Sequence, residues 1–201
     1  MLPQGFCGLR RLDLYLEGSA SIALLFDNIK AVGVNLERLS LTVADRHIAG
    51  SSAWAMGETN DLTRYIPRLE ELRLSGFEFS TLYQQLPQVA NFNQLVRLEL
   101  LASQGGAQHL LQHLARGAES NKLRVKHIAF ESVGDLSPDE ESEMHDSFER
   151  MLEACEPIDS FNILHRQAES GDFDLENCLM QLATRKYDLQ SLSFNYEQFE
   201  K

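Results

Sequence analysis

The chain has 201 residues, 43% of them apolar and 24% charged, enough for one sizeable core and no more than one expected domain spanning 1–201. Eighteen Lys and Arg stand against 30 Asp and Glu, a net charge of −12. That field opposes the clustered basic footprint a phosphate backbone or an anionic membrane requires, so neither nucleic acid nor membrane is an expected partner. The basic cluster Arg116, Lys122, Arg124 and Lys126 is short and reads as a solvated edge.

Three cysteines, Cys7, Cys155 and Cys178, form no CxxC pair, and no Asn-x-Ser/Thr acceptor occurs. The start, MLPQGFCGLRRLDL, lacks the apolar run of a signal peptide, and no stretch reaches the roughly 18 apolar residues that mark a membrane span. A soluble protein of a reducing compartment, cytoplasmic or nuclear, is expected.

In chain order, the first pattern is LRRLDL from Leu9, with leucine at the first, fourth and sixth places. It returns as LERLSL from Leu36, LEELRL from Leu69 and LVRLEL from Leu95. Weaker copies follow as VKHIAF from Val125, IDSFNI from Ile158 and LQSLSF from Leu189, at a mean step of 30 residues. Within each phrase the last two apolar residues stand two apart, which places them on one face of a short strand and the residue between them on the other.

Between phrases the apolar spacing changes to that of a helix. Ile22, Leu25, Phe26 and Ile29 mark one stripe. Ala107, Leu110, Leu111, Leu114, Ala115 and Ala118 mark the clearest, followed by Met144, Phe148, Met151, Leu152 and Cys155, and by Leu175, Cys178, Leu179 and Leu182. One helix start is written out: Ser137 can cap, Pro138 takes the first helical place and Glu140 completes the box, with acidic residues through Glu143 at the positive end of the dipole.

A strand–helix unit of about thirty residues cannot bury its own leucines, but stacked copies cover one another. The expected architecture is an α/β fold, a right-handed, curved solenoid of about seven strand–helix units with a parallel sheet on its concave side. Counting by two from the inward leucines gives three outward columns. The first runs Arg11, Arg38, Glu71, Arg97, His127, Ser160, Ser191. The second runs Asp13, Ser40, Arg73, Glu99, Ala129, Asn162, Ser193. The third runs Tyr15, Thr42, Ser75, Leu101, Glu131, Leu164, Asn195.

The four strong phrases look like the strand motifs of leucine-rich repeats. With helices between them and steps of 26 to 33 residues, the chain resembles the ribonuclease-inhibitor-like group, and especially the irregular repeats of fungal F-box proteins. That resemblance implies a leucine-rich-repeat solenoid that binds proteins, with a possible role as the substrate-recognition part of an F-box-type ubiquitin ligase; an adaptor or scaffold with no ligase connection is the alternative. Two departures accompany it. The Asn or Cys expected three places after each strand's last leucine is replaced by Glu17, Ala44, Phe77, Ser103, Val133, Arg166 and Glu197. Ahead of the first repeat stand only Leu2 and Pro3 of an F-box-like start, so a ligase role would belong to a longer parent chain, of which this is an expected segment.

A partner protein is expected on Arg11, Asp13, Tyr15, Arg38, Glu71, Arg73, Arg97 and Glu99, since arginines suit bidentate carboxylate pairing and a tyrosine can anchor a contact. The same alternation could serve only to keep an open sheet soluble. Trp54, the chain's single tryptophan, lies in the aperiodic stretch DRHIAGSSAWAMGETN from Asp45 to Asn60, and either contributes to binding or tucks against the solenoid edge.

Catalytic chemistry is not expected. His109 and His113 share a helical face but lack a third ligand and the glutamate of HExxH. Cys155 and Cys178 sit on apolar stripes, SQGG at 103–106 lacks the lysine of a phosphate loop, and no GxSxG occurs. The expectation is a monomeric binding module without cofactor or metal.

Overall fold

A computed structural model describes residues 8–16, 35–43, 66–76, 92–103, 107–117, 122–133, 138–167 and 189–198, with positions 180 and 183. Among these, seven strands build one sheet: β1 (Arg11–Leu16), β2 (Arg38–Val43), β3 (Glu71–Ser75), β4 (Arg97–Ser103), β5 (His127–Val133), β6 (Ser160–Gln167) and β7 (Ser191–Gln198). They lie side by side in chain order, every neighbouring pair parallel. Two helices are described, α1 (Ala107–Gly117) after β4 and α2 (Pro138–Ala154) after β5, with a short 3-10 turn at Phe92–Gln94. The molecule is therefore α/β with an all-parallel sheet.

Each strand begins two residues after the first apolar residue of its phrase, and the phrases align place for place. Leu12, Leu39, Leu72, Leu98, Ile128, Phe161 and Leu192 are successive register partners. So are Leu14, Leu41, Leu74, Leu100, Phe130, Ile163 and Phe194. A one-residue slip would turn every leucine into solvent, so the alternation pins this alignment.

The backbone repeats as strictly as the side chains. The carbonyl of Arg10 accepts the N–H groups of both Glu37 and Arg38. The carbonyls of Glu37, Glu70, Val96, Lys126 and Asp159 each accept the equivalent pair from the next unit, all at 2.7–3.1 Å. This two-donor step precedes each strand from β2 to β7 and satisfies backbone groups ahead of the ladder. No side chain takes part, so the sequence carries no direct mark of it.

The core lies on the leucine face. Leu36, Leu41, Leu69, Leu74, Leu95 and Ile158 are fully buried, and α1 and α2 add Leu110, Leu111, Leu114, Met144, Phe148, Met151 and Leu152. Each such side chain contributes roughly 1.5–3 kcal/mol by leaving water. Phe148 ties helix to sheet: its ring meets Phe130 of β5 edge-on at 4.8 Å and Phe161 of β6 at 6.4 Å. The two helices pack on each other through a polar seam, where Gln112 Nε2 donates to Ser147 Oγ at 3.0 Å and that hydroxyl donates back to the Glu143 carbonyl. Pro138 is the first residue of α2, as its sequence position predicts. The helical stripe at 22–29, the stripe residues Leu175, Cys178, Leu179 and Leu182, and Ser137 and Ala118 lie outside the described residues.

One glycine has a conformational reason. Gly76 follows β3 with φ of 77°, its N–H donates to the Leu101 carbonyl at 2.9 Å, and a Cβ there would stand 2.6 Å from the Val43 carbonyl oxygen. Only glycine fits that left-handed, crowded turn.

The end strands bury less. Leu12 and Leu14 of β1 are half-buried, and Leu192 of β7 is 45% exposed although its column is buried from β2 to β6. An inward leucine is shielded when units stand on both sides of it, which is the stacking principle of a repeat array.

Candidate partner-binding face

The face opposite the leucines carries the charged residues of β1 to β4. The first column aligns Arg11, Arg38, Glu71, Arg97, His127, Ser160 and Ser191, and the second Asp13, Ser40, Arg73, Glu99, Ala129, Asn162 and Ser193, both in the order the spacing predicts. Seven of the nine expected partner-binding residues, namely Arg11, Asp13, Arg38, Glu71, Arg73, Arg97 and Glu99, line one open depression of about 300 Å³. Tyr15 lies in the third column, 66% exposed, on the same strand as Arg11 and Asp13. Trp54 and the stretch at 45–60 lie outside the described residues.

The third column is kept on both sides of one irregularity. It aligns Tyr15, Thr42, Ser75 and Leu101, and then Glu131, Leu164 and Asn195, but between β4 and β5 the register shifts: Leu100 faces Phe130, whereas Ser103 faces Ser132. One extra residue on β4 forms a bulge, so Leu101 and Glu131 are not the simple neighbours that counting by two predicts. Glu131, expected on the open surface, is buried at 9% exposure.

Ion pairs organise the depression. Arg11 Nε donates to Asp13 Oδ2 at 2.7 Å along one strand. Between strands, Arg38 meets Glu71 at 3.4 Å and Arg73 meets Glu99 at 3.6 Å, while Arg97 reaches the other oxygen of Glu99 at 3.3 Å. The parallel register creates these pairs, since Arg38 and Glu71, and likewise Arg73 and Glu99, are direct cross-strand partners. Asp13 holds the Arg11 guanidinium above its ordinary range, first through the hydrogen bond and then through its charge. Pairs this exposed add little stability individually; what they fix is side-chain position.

Strands β5 to β7 continue the first two columns with His127, Ser160, Ser191, Ala129, Asn162 and Ser193, which carry no carboxylate or guanidinium. The charges of these two columns thus end at β4. Lys126, beside it, is turned to the edge, where it pairs with Glu156 at 3.4 Å and donates to the Pro157 carbonyl at 2.9 Å.

Other chemical candidates are less assembled. His113 is held below the usual histidine range, mainly by burial and then by the nearby charge of Arg116. Among the described residues no three His, Cys, Asp or Glu side chains converge as a metal site. Cys155 is buried at the end of α2, where its N–H bonds back to the helix and it forms a bridge with Leu123. No described helix is long and apolar enough to cross a membrane.

The fold and face thus define an α/β protein whose parallel sheet presents a structured, charged surface on one side. No family model matches the chain, and no curated protein or solved structure matches it.

Proposed function

We propose that this chain is a leucine-rich-repeat solenoid of about seven units, right-handed and curved, that binds another protein on the open face of strands β1 to β4. The observation that carries the reading is the ordered depression in which four arginines and three carboxylates from four consecutive strands meet beside an exposed Tyr15. Side chains held by mutual ion pairs lose less freedom on binding, and arginine and tyrosine are the residues on which interface energy concentrates. The module acts by recognition and not by catalysis, as a monomer in the cytoplasm or nucleus.

Its place in a larger system is the substrate-recognition part of an F-box-type ubiquitin ligase. That step rests on the likeness of the LxxLxL phrases to such proteins, an analogy at the level of fold. The reading that stands without the analogy is an adaptor or scaffold, because a charged sheet face requires no ligase.

A photo-crosslinking amino acid at Tyr15 tests the face itself. In cells expressing the full chain it is expected to join a discrete partner, while the same group at Asp146, exposed on α2, yields no such adduct. Adducts from Asp146 with none from Tyr15 would move the interface to the helices and end the proposal.

A further inference from the structure

The relative heights of the charges on this face say what kind of partner it fits. Side-chain exposure runs from 43% for Arg97 to 65% for Arg11, whereas Glu71 is at 35% and Glu99 at 19%; Asp13, at 52%, is the one carboxylate as open as the arginines. The longer guanidinium groups stand over carboxylates that lie lower in the depression. Four arginines face three carboxylates, and Glu99 alone serves two of them, Arg73 and Arg97. Strands β1, β3 and β4 each bring one arginine and one carboxylate, so the surplus positive charge falls to Arg38 on β2, within a chain whose total is −12.

In each of these pairs one guanidinium nitrogen approaches one carboxylate oxygen within 2.7–3.6 Å. A guanidinium carries several N–H donors in a planar fork, so the inner carboxylate orients the group while other donors remain for a second acceptor. Arg11 and Arg38 are direct register partners, and like charges placed opposite one another are unfavourable unless something anionic lies against them. Acidic residues elsewhere on the chain are largely screened beyond about 8 Å at physiological salt, so the local surplus governs contact.

We propose, resting on the binding reading above, that the occupant is an extended peptide segment rich in carboxylates, lying across β1 to β4 and perpendicular to the strands. Three interstrand gaps of about 4.8 Å give a span of about 14 Å, the length of four to five extended residues. Its carboxylates take the outward donors of Arg38, Arg73 and Arg97, and a neighbouring apolar or aromatic residue rests on Tyr15. Charge-assisted pairs of this kind are the stronger hydrogen bonds available at a surface.

The test uses the full chain and fluorescein-labelled peptides of about ten residues, alternating glutamate, glutamine or lysine with serine, followed by anisotropy at physiological salt. The glutamate peptide is expected to saturate the protein at least about tenfold more tightly than the glutamine peptide, with the lysine peptide weakest. The paired change Arg73→Gln and Arg97→Gln removes that preference; Arg38→Gln alone, which leaves Glu99 paired, weakens it. Circular dichroism checks that each variant keeps the wild-type fold. Equal binding of the glutamate and glutamine peptides, a preference for lysine, or no saturation by any of the three overturns the acidic specificity. If that happens while crosslinking from Tyr15 persists, only the partner's chemistry has been misread; loss of both removes the interface as well.

Discussion

Leu74→Ala lowers the stability of the folded chain by about 3 kcal/mol, within the range of roughly 2–5 for emptying a buried leucine site. The side chain is fully buried in β3, with Leu41 and Leu100 as register partners on either side, themselves buried to within 1%. A cavity left at Leu74 cannot be closed by a sideways shift. Every neighbour is held in its own column by a parallel ladder and by the double-donor backbone step at the strand's start. The lost apolar area and the remaining void therefore both count against the folded state. The same change at half-buried Leu12, in the end strand, has a smaller effect because less area is involved. Urea denaturation of the two variants and the parent, compared at constant slope, provides the measurement. Equal losses at positions 12 and 74 would mean that burial does not rise from the end of the stack to its middle.

Joint reversal of Arg38, Arg73 and Arg97 to glutamate abolishes capture of the partner, a loss of at least about a hundredfold in affinity. Four arginines against three carboxylates become one against six. The effect has two sources. Glutamate at 38 then faces Glu71, and glutamate at 73 faces Glu99, so the cross-strand pairs that position the face become repulsive. A carboxylate-bearing partner also loses its donors and meets like charge. The chain should still fold, because these residues are exposed or half-buried and none belongs to the leucine core. Reversal of Lys122, Arg124 and Arg150, exposed and outside the depression, changes net charge equally and leaves capture intact. If both triple variants lose the partner alike, net charge and not this face controls binding.

Much of this arrangement was legible in the residues because the spacing that buries one side of a strand also assigns the other. LxxLxL fixes two inward places, and counting outward from them put Arg38, Arg73, Arg97 and Glu99 in their correct columns with no structural information. The weak phrases VKHIAF, IDSFNI and LQSLSF aligned as well, since phenylalanine and isoleucine substitute for leucine in a column that asks only for apolar volume. The pairing of charges was not legible. Whether Arg73 meets Glu71 on its own strand or Glu99 on the next depends on side-chain reach across the register, which no one-dimensional pattern encodes.

The break in the third column between Leu101 and Glu131 was not legible for a different reason. A bulge adds a residue to β4 without altering the apolar alternation before it, so counting by two does not show it; nor does counting show that Glu131, which keeps its column with Leu164 and Asn195, is buried. The backbone step shared by Arg10, Glu37, Glu70, Val96, Lys126 and Asp159 left no signal either, because main-chain donors and acceptors are the same whatever the side chain. The irregular stretch containing Trp54 offered no period to count.

Seven segments lie side by side in chain order, and the distance between the two ends of the sheet measures that directly. Spin labels at Arg11→Cys and Ser191→Cys, register positions in β1 and β7, are separated by six interstrand gaps. With the native cysteines replaced, pulsed electron–electron resonance should give one narrow distribution near 29 Å, from spacings of about 4.8 Å, shortened by a few ångströms where the sheet bends. A distribution that is broad, or centred beyond about 45 Å, would contradict a continuous ladder, and with it the face on which partner binding rests.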